Sequence, residues 1–398
     1  NSASFSHRSN RRECKMMPGR KRILLYVQHL TGSGHFVRTF ELARTLATQH
    51  DVWLLDGGHP VPRPPVEHPF NFVTLPRIHR RNGELAAWND AKPIDEVMQE
   101  RRRLLQIAVQ QSSPDLLVVE HFPFRKWNLQ SEILSTIEFA RARNSQLQVM
   151  CSLRDVAPPT RFDPSSNRFQ ADVKAALASN FHGLLVHADP MMFQLTDYYS
   201  WADQLTVPIH YTGFISEKLT SPLGPNIDQT GPIIVSSGGT AGENLRSCAI
   251  EAWRLLSQRG ATGGRKLVVF KSLAESNAVE ALLWGIDSPD VVFEDFSTSF
   301  LGWMSRADLS VSEAGYNTCA NILETRTRAI LIPNDKTSDQ SLRAERLAER
   351  GLATVIPATE LTSIRLADAM GQALASPPPQ HDLDLDGAKN TLAFVNNL

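Results

Sequence analysis

Short apolar runs, each followed by a glycine-containing turn and a segment with helical periodicity, repeat along this chain. The first run extends from Arg22 to Gln28, the second from Pro232 to Ser236, and the third from Leu309 to Val311. Short apolar runs bounded by turns are typical of strands buried on both faces, and the periodic segments between them are typical of crossover helices. The pattern therefore predicts an α/β protein with parallel sheets.

The densest copy of this pattern lies between Ala307 and Ala344. A strand leads through the turn Ala314-Gly315 into a helix, and a fully apolar strand closed by Pro333 then precedes a polar loop and another helix. A strand that enters a helix through a glycine turn presents backbone N–H groups and the positive end of a helix dipole at one place. Such a place favours a phosphate or diphosphate. An ordinary βαβ unit, in which the glycine only shapes the turn, is the alternative.

Two more glycine turns follow predicted strands. Gly238-Gly239-Thr240 lies near the start of the second half of the chain and lacks the lysine of a nucleotide-hydrolysing Walker loop. Gly32-Ser33-Gly34 follows the first strand, and Val37 stands where a dinucleotide-binding fingerprint has its third glycine. These turns predict further anion-binding positions, and they make an NAD-linked oxidoreductase the least favoured alternative.

A chain of 398 residues exceeds the usual size of one hydrophobic core, so its length predicts two domains. Residues 215–231 are rich in Ser, Pro and Gly and are the predicted linker between α/β domains at 21–214 and 232–376. Residues 1–20 are basic and serine-rich, so we expect a disordered leader, with an organelle transit peptide as the alternative. Residues 377–398 form the predicted tail.

Composition excludes several classes of protein. A formal net charge of −1 argues against a general nucleic-acid binder. The sequence contains no apolar run of about eighteen residues, so no membrane-spanning helix is expected. The four cysteines, Cys14, Cys151, Cys248 and Cys319, lack metal-ligand spacing and are expected to be reduced thiols of a cytoplasmic protein.

The motifs at the glycine turns resemble those of nucleotide-sugar glycosyltransferases with the GT-B fold. The similar branch contains the lipid II-forming N-acetylglucosaminyltransferase of peptidoglycan synthesis and related predicted glycosyltransferases. The resemblance rests on Gly32-Ser33-Gly34-His35, Gly238-Gly239-Thr240, Ala314-Gly315-Tyr316-Asn317-Thr318 and Asp339-Gln340. It implies two Rossmann-like domains whose parallel sheets face each other across a cleft, with a final helix that crosses back to the first domain.

The resemblance also implies a donor site in the C-terminal domain. The glycine turns would hold the diphosphate, Phe296 would lie against the base unless it belongs to the core, and the loop ending at Gln340 would contact the sugar. Asn321 stands where the family usually has a ribose carboxylate, with Glu324 one helical turn later, and an amide bonds a diol without charge assistance. The implied donor-binding residues are Gly238, Gly239, Thr240, Phe296, Ala314, Gly315, Asn317, Thr318, Asn321, Glu324, Asp339 and Gln340.

The first domain is implied to hold the acceptor and the catalytic groups. His35 is either a residue that caps or packs at a helix start, or a general base, since an imidazole titrates near neutral pH. Glu120 ends the apolar run Leu116 to Val119 at the sheet edge where ligands collect, and it is the expected partner of His35. Arg154 and Asp155 follow another strand and either line the acceptor side or pair with each other. The implied acceptor-side residues are Gly32, Gly34, Arg38, Arg154 and Asp155.

An arginine-rich segment, residues 77–105, has two interpretations. The first is a solvated helix face with Glu–Arg pairs one turn apart. The second is a docking surface for an anionic acceptor or for membrane headgroups, which would allow peripheral contact with a membrane.

These patterns lead to a glycosyltransferase hypothesis. The resemblance implies inverting transfer of a hexose or N-acetylhexosamine from a nucleotide sugar, with UDP as the expected nucleotide, to a small-molecule, glycan or lipid-linked acceptor. It implies no cofactor and no metal, and neither a nucleic-acid partner nor a transmembrane segment is expected. The alternatives are a nucleotide-sugar epimerase, which shares this architecture, and a catalytically silent nucleotide-sugar-binding protein, suggested by Asn321 and Glu313.

Overall fold

A computed structural model of the protein describes residues 19–30, 34–88, 92–155, 166–219, 230–237, 243–271, 289–295, 297, 299–334 and 338–398. Within these ranges the chain forms two α/β domains, each built on a parallel sheet with helices on its faces. The α/β class and the parallel sheets predicted from the apolar runs are thus confirmed.

The first sheet contains strands from the first half of the chain. Its described strands are β1 (Arg22–Val27), β2 (Asp51–Asp56), β3 (Asn71–Thr74), β6 (Leu116–Glu120), β7 (Gln148–Leu153), β8 (Gly183–Val186) and β9 (Ile209–Tyr211), and a separate antiparallel hairpin is made by β4 (Ile78–Arg81) and β5 (Glu84–Ala87). The order is β3-β2-β1-β6-β7-β8-β9, and each described pair is parallel. The helices are α1 (Gly34–Leu46), α2 (Ile94–Ser112), α3 (Gln130–Arg141) and α4 (Asn167–Asn180).

The second sheet repeats this topology. Its described strands are β10 (Ile233–Ser236), β11 (Leu267–Phe270), β12 (Val291–Glu294), β13 (Leu309–Ser312), β14 (Ala329–Leu331) and β15 (Thr354–Val355), in the order β12-β11-β10-β13-β14-β15. The helices of the second half are α5 (Glu243–Gln258), α6 (Phe300–Met304), α7 (Tyr316–Thr325), α8 (Ser338–Glu349), α9 (Ser363–Ala375) and α10 (Gly387–Asn396). The central strands β10 and β13 are wholly buried, as their unbroken apolar and small residues require.

The strand order of each sheet reverses at one point, between β1 and β6 in the first sheet and between β10 and β13 in the second. Ligands of open parallel sheets bind outside the carboxyl ends of the strands at such a switch point. His35 comes after β1, and Glu120 is the last residue of β6. Ala314-Gly315 comes after β13. Each group of candidate residues therefore lies at a switch point, because the order of the strands in each sheet brings it there.

The last helix, α10, packs on the first domain. Val395 of α10 belongs to the same buried cluster as Phe36 and Phe40 of α1. The chain reaches this position through backbone hydrogen bonds from Phe214 N to Asp384 O at 2.8 Å and from Gly387 N to Phe214 O at 2.9 Å. The final segment therefore connects the second domain back to the first.

None of the described helices is long and apolar enough to cross a membrane.

The arginine-rich segment differs from its first interpretation. Its beginning is not helical but forms the β4–β5 hairpin. Arg101 in α2 is not solvated but wholly buried. Its Nε lies 2.9 Å from Oε2 of Glu132 in α3, and the Tyr26 hydroxyl donates to the same carboxylate at 2.5 Å. The interpretation of this segment as a solvated helix face is wrong for Arg101. The spacing of residues along a helix does not show which charged residue has a buried partner.

Candidate functional site

His35 and Glu120 meet at the switch point of the first sheet. His35 lies in the first turn of α1, directly after Gly34, and Glu120 is the last residue of β6. Nδ1 of His35 is 2.9 Å from Oε1 of Glu120. The Glu120 side chain is 2% exposed, whereas that of His35 is 18% exposed. The pairing expected from the sequence is present in the geometry, while its catalytic role stays a prediction.

Three basic side chains surround the carboxylate of Glu120. Arg38, one turn after His35 on α1, contacts Oε1, and Nζ of Lys126 lies 2.6 Å from Oε2. Nε2 of His121 lies 3.9 Å from Oε1. Burial acts to raise the pKa of Glu120, but the neighbouring His35 imidazole and the charges of Lys126 and Arg38 together hold this pKa well below its ordinary value. Glu120 is therefore ionised, and all its described partners are donors.

The environment of His35 fixes its protonation state. Burial lowers the pKa of His35 to about 3, although Glu120 opposes the shift. The imidazole is therefore neutral at neutral pH. Its single proton is assigned to Nδ1, because the ionised carboxylate of Glu120 only accepts hydrogen bonds. Nε2, at the opposite edge of the ring, then keeps its lone pair, and a neutral imidazole oriented in this way is able to accept a proton.

The same residues could in principle bind a metal ion. Ligand atoms of His35, Glu120 and His121 lie within 4.8 Å of one another. However, Arg38 and Lys126 each contact one oxygen of the Glu120 carboxylate. A divalent cation at this carboxylate would be repelled by two fixed positive charges. The donor set therefore suits an oriented base better than a metal centre.

Across the cleft, α7 presents its N-terminus. Gly315 is the N-cap residue, with φ −64° and ψ 147°, and no described side chain caps the first N–H groups of this helix. Asn317 in the first turn donates from Nδ2 to the backbone oxygen of Gly34 at 3.0 Å. Thr318 follows and is half-buried. The open helix terminus of the second domain is thus tied directly to the residue before His35.

The glycine at position 315 is not required by the protein itself. Its φ is an ordinary value for any residue. A Cβ atom added there would meet only Oγ1 of Thr318 within 4 Å, at 3.8 Å, which is normal van der Waals contact. Neither backbone strain nor crowding within the described structure therefore explains a glycine here, and the missing side chain leaves the backbone open to close approach.

Asp339 and Gln340, predicted to contact the donor sugar, lie in the first turn of α8. Oε1 of Gln340 accepts from Ala314 N at 3.1 Å and from Asn334 N at 3.0 Å. The amide of Gln340 therefore connects the turn before α7 to the loop after β14. The Asp339 carboxylate lies 2.7 Å from a guanidinium nitrogen of Arg154 and 3.2 Å from one of Arg343. In this structure both side chains organise the cleft from the donor side.

Arg154 and Asp155 do not simply pair with each other. Nε of Arg154 is 3.4 Å from Asp155, but each residue also contacts the other domain, Arg154 through Asp339 and Asp155 through buried Arg343. Burial, with Arg154 and Arg125 close by, lowers the pKa of Arg343 well below its ordinary value. The described charged residues of the cleft include five cations, Arg38, Arg125, Lys126, Arg154 and Arg343, and four carboxylates, Glu120, Asp155, Glu313 and Asp339.

Tyr316 fills the space between the two domains. Its hydroxyl donates to the backbone oxygen of His187 at 2.8 Å and accepts from Ile215 N at 3.0 Å. The guanidinium carbons of Arg38 and Arg343 lie 5.6 Å and 5.9 Å from its ring centre. Tyr316 thus connects the cations of both domains through one aromatic ring.

The other predicted site residues are separate from this cluster or lie outside the described residues. Glu324 lies 2.7 Å from Nζ of Lys218, in the segment between the domains, and Asn321 is half-buried one turn earlier on α7. Their ribose contacts stay predictions. The predicted residues outside the described ranges are Gly32, Gly238, Gly239, Thr240 and Phe296.

Residues 233–384 match the model of the glycosyltransferase family 28 C-terminal domain. The second half of the chain is thus similar to the C-terminal domain of this glycosyltransferase family. Among curated relatives, the UDP-N-acetylglucosamine–N-acetylmuramyl-(pentapeptide) pyrophosphoryl-undecaprenol N-acetylglucosamine transferase of Crocosphaera subtropica is 29% identical over 165 residues. These residues make up 40% of this chain and 44% of that protein. The chain spans less than half the length of the curated relatives that it matches.

Solved structures of glycosyltransferases match nearly the whole chain. MurG of Acinetobacter baumannii has a TM-score of 0.53 and 14% identity, covering 95% of this chain and 100% of MurG. The glycosyltransferase VinC, in complex with dTDP, has a TM-score of 0.55 and 16% identity, covering 94% of this chain and 95% of VinC. The resemblance and the GT-B fold predicted from the sequence are confirmed.

Sequence reasoning missed several residues of the GT-B cleft. Lys126, His121 and Arg125 follow Glu120 closely, and Tyr316 and Arg343 come from α7 and α8 of the second domain. A signal was available for the first three, since they directly follow a strand that ends at the switch point. No local pattern identified Arg343, because its significance depends on Asp155, a residue 188 positions away.

A second buried histidine of the first GT-B domain gives a prediction about stability. His187 has Nε2 2.9 Å from Oγ of Ser152 and Nδ1 2.8 Å from Oγ1 of Thr212. Burial lowers the pKa of His187 to about 3, as it does for His35. Because an unfolded histidine titrates near pH 6.5, the unfolded chain binds protons that the folded chain does not, and stability falls as pH falls from about 6.5 towards 3.

We expect each of these two histidines to remove about 2 kcal/mol of unfolding free energy between pH 7 and pH 5. Urea unfolding at pH 7, 6 and 5 measures the loss. In His187→Asn, the unfolding free energy should fall by about 2 kcal/mol less between pH 7 and pH 5 than in the wild type. His68→Asn, at an exposed position, should show the same fall as the wild type. An unfolding free energy that is constant over this range would contradict the prediction.

Proposed function

We propose that this protein is a glycosyltransferase that moves a sugar from a nucleotide diphosphate sugar to a hydroxyl group of an acceptor. One observation carries the proposal: the Nδ1-anchored imidazole of His35 and the uncapped N-terminus of α7 lie on opposite sides of one cleft. They are joined by the 3.0 Å hydrogen bond from Asn317 to Gly34. A base and an anion-binding helix terminus in this relation are the two groups that a displacement at an anomeric carbon needs.

The donor binds through its diphosphate. The N–H groups at the start of α7 and the positive end of its dipole face the cleft. The excess of arginine and lysine over carboxylate in the same cleft adds long-range attraction for an anion. UDP is the expected nucleotide, in line with the donor in the name of the Crocosphaera relative, and dTDP is the competitor in line with the VinC complex.

The reaction is a single displacement. The acceptor oxygen forms a bond to the anomeric carbon while the bond from that carbon to the diphosphate oxygen breaks, and the diphosphate leaves with the electron pair. Nε2 of His35 accepts the acceptor's proton, and the ionised Glu120 stabilises the imidazolium that results. The helix terminus stabilises the charge that develops on the leaving oxygen. A single displacement inverts the configuration of the sugar.

We further propose that the reaction needs no metal ion. Arg38 and Lys126 already neutralise the carboxylate that would be the strongest metal ligand near His35. The positive groups of the cleft supply the compensation that a divalent cation gives in other sugar-transfer sites. Turnover should therefore be unchanged when EDTA is added, and a loss restored by Mg²⁺ or Mn²⁺ would contradict this part of the proposal.

Donor binding can be tested without knowing the acceptor. The thermal midpoint should rise with a UDP-sugar by mass action, more than with the free nucleoside. Gly315→Ala should fold normally, because a Cβ atom fits at this position, yet it should weaken donor affinity roughly tenfold by obstructing approach to the helix terminus. Gly371→Ala is the matched control, since its Cβ would also meet only an ordinary contact, Leu256 at 3.9 Å, away from the cleft.

The panel should include UDP-, dTDP- and GDP-sugars and NAD. Equal donor affinity in Gly315→Ala and the wild type would remove α7 from the donor site. No shift with any nucleotide sugar would overturn the proposed function. Release of UDP with a changed sugar and no acceptor would instead favour an epimerase.

A further inference from the structure

The β4–β5 hairpin lies on the same edge of the first sheet as His35. The backbone N–H of Leu75 donates to Asp56 O at 2.8 Å, and that of Ile78 donates to Gly57 O at 3.1 Å. Asp56 ends β2, so these bonds hold the start of the hairpin at the carboxyl ends of the strands. The hairpin therefore borders the face of the domain on which a GT-B acceptor hydroxyl must reach His35.

Trp88, directly after β5, is exposed at this edge. It is 44% exposed and is the aromatic member of the described large hydrophobic side chains that remain exposed. Its backbone N–H donates to Arg77 O at 3.0 Å, across the hairpin. Its ring centre lies 4.9 Å from that of His59 and 5.6 Å from that of His79, which meets it edge-on. The indole is thus packed against two imidazoles and still presents surface to solvent.

A series of ring contacts connects Trp88 to the catalytic helix. His59 stacks on His29 at 5.5 Å, and His29 lies 6.0 Å from Phe36, the residue after His35. Gly58 makes this packing possible, because a Cβ atom there would lie 2.1 Å from the His29 ring. The exposed indole is therefore connected through packed rings to the helix that carries His35.

We propose that Trp88, flanked by His59 and His79, is an acceptor subsite that binds a pyranose ring next to the one that receives the sugar. The apolar face of a pyranose packs on an indole, while its equatorial hydroxyls point outward. The two imidazoles beside the indole carry ring nitrogens that can form hydrogen bonds to such hydroxyls. An extended lipid chain would instead need a continuous apolar groove, and the described ring partners of Trp88 are two imidazoles. The subsite selects an acceptor of more than one sugar unit.

This proposal rests on the proposed function only for the role of the bound sugar, because binding itself is measured without turnover. Calorimetric titration of the whole protein with the trimers of β-1,4-linked N-acetylglucosamine and β-1,4-linked glucose tests the subsite, with 2-naphthol as a flat apolar probe. At least one trimer should bind the wild type, and Trp88→Ala should weaken that affinity roughly tenfold. Trp88→Phe should restore most of it. Ile364→Ala removes another exposed apolar side chain, away from the hairpin, and should change nothing.

Three results would overturn the subsite: no binding of either trimer to the wild type, unchanged binding in Trp88→Ala, or binding of 2-naphthol in preference to both trimers. The thermal shift of Trp88→Ala with a UDP-sugar is measured in parallel and should equal that of the wild type. A donor shift without trimer binding removes the subsite and leaves the proposed function. Trimer binding at Trp88 without any donor shift removes the proposed function and leaves a saccharide-binding site.

Discussion

Replacing His35 by glutamine is expected to lower kcat for sugar transfer roughly 10²- to 10⁴-fold, the usual contribution of a positioned general base. Glutamine keeps a hydrogen-bonding group at the start of α1 but offers no basic nitrogen at neutral pH. Donor affinity should be unchanged, because the diphosphate is held by the second domain. Transfer rates with saturating donor, together with the thermal shift, separate these two effects. A His35→Gln protein with at least a third of wild-type kcat would show that His35 only packs at the helix start.

The pH dependence of the same rate gives a second test of His35. Burial holds its pKa at about 3, so the imidazole stays unprotonated and competent as a base far below the ordinary histidine range. We therefore expect kcat/KM to stay level from pH 7 to pH 5, without the fall near pH 6.5 of an exposed histidine. Glu120→Gln is the informative partner variant, because it keeps the size of the side chain and removes the charge that opposes the lowered pKa. Its kcat should fall less than that of His35→Gln.

The second large effect concerns folding. Glu132→Gln should lower the unfolding free energy by about 3–5 kcal/mol, because it leaves the guanidinium of Arg101 charged, buried and without its carboxylate. Both side chains of this pair are at most 2% exposed, and Arg101 donates to both carboxylate oxygens, at 2.9 and 2.7 Å. Urea unfolding at pH 7 measures the change. Glu138→Gln, on the exposed face of the same helix, should change stability by no more than about 0.5 kcal/mol.

The double variant Glu132→Leu, Arg101→Leu shows whether stability is lost through an unpaired buried charge or through altered packing. Removing both charges should recover most of the stability that the single variant loses, since a buried pair often contributes little over apolar residues of similar volume. Gly57 sets the geometry here, because a Cβ atom at that position would lie 2.0 Å from the Arg101 guanidinium. If Glu132→Gln costs less than about 1 kcal/mol, the charge of Arg101 is compensated by groups other than Glu132.

Much of the strand framework followed from the sequence because buried parallel strands have a local signature. The runs at Arg22 to Gln28 and Leu309 to Val311 differ from the observed β1 and β13 by no more than a residue at an end. Edge strands were different. β9 and β15 are short and only partly buried, so their sequences carry too few apolar positions to be recognised.

The candidate site divides in the same way. The glycine turns were legible because a strand, a glycine and a helix in succession form an anion-binding shape on their own. The protonation states of the side chains in the site could not be predicted from the sequence. Whether His35 is neutral depends on Glu120, and whether Glu120 is ionised depends on Arg38 and Lys126. These groups come from α1, β6 and the segment after β6, and their distances are set by the order of strands in the sheet.

The sequence by itself determined the α/β class, the buried strands, the glycine turns and the motifs that resemble GT-B glycosyltransferases, because each depends on residues within a short stretch of chain. The tertiary structure decided which charges are paired and which side chains face each other across the cleft. The contacts of Arg154 with Asp339 and of Asn317 with Gly34 join residues 185 and 283 positions apart. The physical reason is that burial and Coulomb interactions depend on distance in space, which the chain fixes only when both domains have folded against each other.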